Sequence, residues 1–186
     1  MKKQILKTSV LAAVLLSMGM GMAHAVDLAS SQVTVTGKVA ASTCVLNLEA
    51  NGKKITDTLN LGQANKTDFV TNDELVKPQD LTVSLTSCSG DQFNTSNQYA
   101  AGAQLKISGS NVDSNKYFGL KDGVAVGIKN ADKFVENGNG LDFVNANTAD
   151  AALKPLVLKV GLVAKDKDAV GAATVNAPLT FTLVSK

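Results

Sequence analysis

Ser31-Gln32-Val33-Thr34-Val35-Thr36-Gly37-Lys38-Val39-Ala40-Ala41-Ser42-Thr43-Cys44 is the stretch on which the reading of this chain turns. Val33, Val35, Gly37, Val39 and Ala41 fall on one side of it, and Gln32, Thr34, Thr36 and Lys38 on the other. Alternation with a period of two over this length predicts a β-strand with one buried face. Gly37 is out of place in such a strand, because glycine costs order and has nothing to pack; it marks a point where another backbone comes close. The stretch is read as a strand meant for a neighbouring molecule, with the rest of the chain built to receive one like it.

Upstream, Met1-Lys2-Lys3, the apolar run Leu11-Ala12-Ala13-Val14-Leu15-Leu16 and Ala23-His24-Ala25 follow the order of a secretory signal peptide. Cleavage is expected after Ala25, and the apolar run is too short to stay as a membrane span. The expected organisation is a signal peptide over 1–25, an N-terminal extension over 26–42 and one domain over 43–186. The product is expected to be exported and soluble.

Removing 1–25 takes away His24, the single histidine, together with Lys2, Lys3 and Lys7. The remainder is close to neutral and has no arginine and no tryptophan. Without concentrated positive charge it is a poor partner for nucleic acid. Without histidine it has no Ser-His-Asp or Cys-His site and no histidine-based metal site. No enzyme activity, cofactor or metal is expected. Asp166-Lys167-Asp168 opens like a calcium loop, but Ala177 stands where a bidentate glutamate is needed. Tyr99, Tyr117 and Phe118 have the faces to stack on a sugar, and are read first as packing residues.

Cys44 and Cys88, in an exported chain, are expected to pair. The chain-entropy account puts such a loop at roughly 4 kcal/mol of stabilisation. Short alternating runs continue from there, and no long helical period appears, which predicts an all-β sandwich. Strands are expected at Val45–Leu48, Asp57–Gly62, Leu81–Cys88, Ala103–Ser108, Val124–Ile128, Leu156–Val163 and Leu179–Val184. Asn51-Gly52 reads as a turn, and Asn137-Gly138-Asn139-Gly140 as the turn of a hairpin over 129–141. One helical turn is expected around Asp73-Glu74-Leu75.

In this order the features resemble a chaperone–usher pilus subunit of the type 1 fimbrial protein superfamily. The resemblance rests on the signal peptide, on Gly37 seven residues before Cys44, on Leu61-Gly62-Gln63, on Cys88 closing an alternating strand, and on Gly123-Val124-Ala125-Val126-Gly127-Ile128. It implies an incomplete immunoglobulin-like β-sandwich that lacks its last strand and is completed by a donor strand from a neighbouring subunit. By the resemblance, Val33, Val35, Gly37 and Val39 are the donor residues. Leu179, Phe181 and Leu183 form the acceptor groove and the edge that a periplasmic chaperone docks on. Related subunits, that chaperone and an outer-membrane usher are the implied partners, with a host glycan or surface receptor beyond them. The family's next-to-last aromatic is replaced by Ser185. Two other readings stand beside this one: a carbohydrate-binding adhesin, and a free-standing immunoglobulin-like domain that keeps its first strand.

Overall fold

The computed structural model describes residues 29–37, 44–86, 98–99, 102–149 and 153–186, with backbone alone for 29–37 and 98–99. Strand β1 (Ala29–Gly37) is followed by the hairpin of β2 (Val45–Ala50) and β3 (Lys53–Lys54). Its turn is Asn51-Gly52, where both residues have positive φ, 52° and 71°. That is the twist-matched two-residue turn the Asn-Gly pair predicts. β4 (Thr58–Gln63) leads through a 3₁₀ turn at Lys66–Asp68 to the long β5 (Leu75–Thr86). The helical turn expected at Asp73–Leu75 is absent. Asp73 takes a left-handed φ of 64° and β5 begins at Leu75; the turn lies earlier, where Asp68 Oδ2 accepts from the Asn65 N–H at 2.9 Å.

β6 (Gln98–Tyr99) and β7 (Ala103–Gly109) precede the hairpin of β8 (Val112–Asp113) and β9 (Tyr117–Lys121). A second two-residue turn, Asp122-Gly123, joins β9 to β10 (Val124–Asn130). Only glycine fits there: φ is 81°, and a Cβ would lie 2.5 Å from the Ala169 carbonyl oxygen. β10 turns back through Ala131-Asp132 into β11 (Lys133–Phe134). Asn137–Gly140 is therefore not the tip of that hairpin. It is a corner that carries the chain to the other sheet, where β12 (Gly140–Val144) pairs with β7. Main-chain bonds fix the corner: Asn137 N–H donates to Asn115 O and Gly138 N–H to Ile107 O, each at 2.8 Å. The order closes with β13 (Thr148–Ala149), β14 (Leu156–Ala164), β15 (Ala173–Asn176) and β16 (Leu179–Ser185).

Two sheets face each other, as in an immunoglobulin-like sandwich. One runs β3-β2-β5-β14-β10-β9-β8, with β11 paired to β10. The other runs β12-β7-β16-β1, with β15 and β4 also bonded to β1. Leu81, Val83, Leu158, Val160, Leu162, Val126 and Ile128 pack from the first sheet against Leu105, Ile107, Leu179 and Phe181 from the second. Each such side chain contributes roughly 1.5–3 kcal/mol by leaving water. β5 keeps its place despite Pro78 because the strand bulges there. Lys77 has φ 48°, and the register with β14 slips by one between Val160 and Leu162. Among the described residues no helix is long and apolar enough to cross a membrane.

Candidate functional site

β15 and β16 are one strand broken at Ala177-Pro178, since proline offers the ladder no N–H. β1 runs parallel to both pieces in a single register. Ala29 to Gln32 lie opposite Ala173 to Asn176, and Val35, Thr36 and Gly37 opposite Leu179, Thr180 and Phe181. On its other side β1 is antiparallel to β4, with Ser30 opposite Gln63 and Thr34 opposite Thr58. A bulge between Ser31 and Gln32 in that ladder coincides with Gly62, whose φ is 75°.

β1 is thus the strand that joins β4 to β15 and β16. Without it, two rows of main-chain donors and acceptors face each other across a gap one strand wide. Strand spacing makes that gap about 9.5 Å. The groove is walled by Leu59 and Leu61 from β4, Ala173 and Val175 from β15, and Leu179 and Phe181 from β16, all buried. Phe181 and Val175 have no exposed surface at all.

Of the expected donor residues, Val33 lies opposite Leu59, Val35 opposite Leu179 and Gly37 opposite Phe181; Val39 is outside the described residues. Of the expected groove residues, Leu179 and Phe181 sit in the main core. Leu183 is only half-buried and packs in a separate cluster with Cys44, Ala103 and Val144, beyond the last described pair of β1. Cys44 is buried, no cysteine among the described residues is free, and Cys88 lies outside them. The β15 wall was not among the sequence expectations, which placed no strand between Val163 and Leu179. Its signal was present in the alternation Ala173-Thr174-Val175-Asn176-Ala177, whose apolar members are buried and whose polar ones are exposed.

A second arrangement closes the outer face of the other sheet. The Tyr117 hydroxyl donates to the Asp73 carboxylate, and Lys116 Nζ reaches Asp73 Oδ2 at 3.1 Å. Lys116 Nζ also stands 5.0 Å and 4.9 Å from the ring centres of Tyr117 and Phe134, and Lys129 Nζ 4.6 Å from Phe134. Partial burial works against the Asp73 carboxylate, but Tyr117, Lys116 and Lys129 outweigh it, so its pKa falls below the ordinary value. These side chains cover Ala125 and Val163. Tyr117 and Phe118 are buried, so neither presents a face to a sugar. The Asp166–Asp168 segment is an exposed 3₁₀ turn in which Asp166 Oδ1 accepts from the Asp168 N–H at 3.0 Å. Among the described residues no cluster of His, Cys, Asp or Glu is arranged to hold a metal.

The second sheet of the sandwich is thus completed by the chain's own β1, wedged between β4 and β15–β16. The sequence profile of fimbrial proteins matches residues 33–184, and the chain belongs to that family. No curated protein matches it in sequence. The crystal structure of the P pilus rod subunit PapA is similar with a TM-score of 0.54 and 18% identity, covering 75% of this chain and 99% of that one. At that identity the likeness is one of fold. Family membership indicates a structural protein of a cell-surface fimbrium rather than an enzyme.

Proposed function

We propose that the chain is a filament-forming subunit of an adhesive pilus, which polymerises when residues 26–42 of one copy enter the groove of the next. The observation that carries this reading is the one-strand gap between β4 and β15–β16, bordered on both sides by strand edges and walled by core side chains. An open groove of that kind invites aggregation, so a lent strand must cover it before assembly. Addition of a strand to an open sheet edge is an established mode of recognition, and chaperone–pilin pairs are among its known examples. A periplasmic chaperone supplies the temporary strand, and an outer-membrane usher exchanges it for a subunit tail. Residues 1–25 direct export and are removed. Cys44 and Cys88 pair; β2 and β5 put Val45, the residue after Cys44, opposite Thr86, two residues before Cys88.

The joint is strong on physical grounds. Three valines at roughly 1.5–3 kcal/mol each add to a row of main-chain bonds along one strand. The free-standing reading draws support from one fact, that β1 pairs here within its own chain. Thermal unfolding tests whether the groove requires this strand. Deleting residues 26–42 and re-fusing them through a flexible linker after Lys186 should raise the melting temperature by about 10 °C or more over the deletion alone, as a few kcal/mol implies for a domain of this size. A deletion variant that is already stable, and that gains nothing from the fused strand, is complete in itself and rejects the pilus reading.

A further inference from the structure

Strand β4 has two edges. β1 takes one, and among the described residues no other strand pairs with β4. An unpaired edge offers its main-chain groups to any strand that comes near, and every second copy of this chain brings strands. There is room for one to approach, since an open cavity of about 690 Å³ is lined by Lys53 and Lys54 from β3 and by Thr58, Leu59 and Asn60 from β4. Yet the outer edge is not bare. Gln79 Nε2 donates to Asn60 O at 2.8 Å, Lys77 Nζ donates to Gln63 O, and Asn60 Oδ1 accepts from the Gly62 N–H at 2.7 Å.

Both outside donors come from β5, in the facing sheet. Gln79 alternates onto the same face of β5 as Leu81 and Val83, which are buried. A glutamine breaks the apolar pattern there because it meets the edge of β4 instead of core. Its amide is oriented from the β2–β3 turn, where Asn51 Nδ2 donates to Gln79 Oε1 at 3.3 Å and leaves Nε2 for the carbonyl. Lys77 stands at the bulge beside Pro78, which aims it at the same edge, with Asp68 Oδ2 3.7 Å from its Nζ. Neighbouring residues of an antiparallel strand bond to opposite sides. Asn60 gives its carbonyl to β5, so Thr58, two residues away, also faces outward.

We propose that Lys77 and Gln79 decide which edge of β4 a strand can join: they occupy its outward carbonyls, so a second copy's strand pairs in the groove and not beside it. This deepens the pilus reading, and rests on it for the purpose of the cap but not for the bonds that make it. A strand in the groove gains two rows of main-chain bonds, one from β4 and one from β15–β16. A strand on the outer edge gains one row and must first displace the caps. Without the caps, copies would also join side by side.

The test uses the full chain without its signal segment. K77A/Q79A should associate reversibly, with a weight-average mass in sedimentation equilibrium rising to about twice that of the unsubstituted chain, the mass of a strand-paired dimer. Thr58→Pro removes an outward N–H, which an edge strand tolerates, and should return K77A/Q79A to the unsubstituted value. Association no greater than that of the unsubstituted chain, or association that Thr58→Pro leaves untouched, overturns the cap. If K77A/Q79A does not melt cooperatively, Lys77→Ala alone, at an exposed position, carries the same comparison. A tagged peptide of residues 26–42 separates this proposal from the pilus reading. If the unsubstituted chain never captures it while K77A/Q79A associates in the manner that Thr58→Pro blocks, the pilus reading falls and the cap stands. If the peptide is captured and K77A/Q79A behaves as the unsubstituted chain does, the cap falls and the pilus reading stands.

Discussion

The groove and the Asp73 corner each cover an apolar face of the same sandwich, by different kinds of contact. At the corner the closing groups are side chains on strands fixed by tight hairpins: Tyr117 on β9, Phe134 on β11, and Asp73 at the head of β5. No other chain can offer that set. At the groove the closing element is a strand held by backbone pairing to β4, β15 and β16. Any strand with small or branched residues at alternate positions owns those main-chain groups. Closure by side chains is specific and permanent, whereas closure by a ladder is exchangeable. On the proposed function the molecule needs both, one to keep the domain intact and one to let it join others.

The largest way to break this contrast is at the groove wall. Phe181→Ala empties a fully buried site opposite Gly37 and should cost about 3–5 kcal/mol in urea unfolding. The cost should shrink when residues 26–42 are deleted, because residues in contact through one site are coupled. A cost that is the same with and without the tail means the wall serves the core alone. Next in size is Gly127→Ala at the corner. Its new Cβ would stand 2.8 Å from Leu75 Cδ2, 2.9 Å from Phe134 Cε1 and 3.0 Å from Val163 Cγ1. Overpacking of this kind costs roughly 1–3 kcal/mol. It should leave capture of the tail peptide unchanged, and slower capture would show that the two regions are not independent.

The contrast also explains what the sequence made legible. Strands that are half-buried and antiparallel announced themselves by alternation, and β5, β7, β14 and β16 fall where that pattern put them, with β5 starting earlier. β9, β12 and β15 escaped. β9 pairs two adjacent buried aromatics, Tyr117 and Phe118, because both faces of its sheet are covered there, so period two is lost. β12 follows a glycine-rich corner that looks like a hairpin tip until β11 is seen to use Ala131-Asp132 instead. Between Gly62 and Leu81 the sequence offered only one helical turn, yet Ala64 and Phe69 are buried in the main core. The strand that fills the groove was legible in Val33, Val35 and Gly37. Its walls were legible only at Leu179 and Phe181, because the β4 and β15 walls are defined by which strand pairs with which. Topology of that sort has no local signature.

The smallest effect, and the one with a signature of its own, is at the corner. Tyr117→Phe keeps the ring and removes the hydroxyl that donates to Asp73. A hydrogen bond to a charged group contributes about 1.5–3 kcal/mol, but the Asp73 side chain is 44% exposed and water screens it, so about 1 kcal/mol is expected. The pH dependence follows from the directions of the shifts. Asp73 titrates below its ordinary value in the fold, so its contribution is full at neutral pH and is lost as pH falls through that lowered value. Burial alone would lower the Lys116 pKa, but Asp73 and Tyr117 raise it overall; burial and then Asp73 raise that of Tyr117. Those contributions are present at neutral pH and lost as pH rises through the raised values. The clamp therefore holds between about pH 4 and pH 10. Melting curves of the two proteins should differ by a few degrees at pH 7 and converge in strong acid. A gap that persists unchanged into acid would mean that the hydroxyl acts through something other than the Asp73 carboxylate.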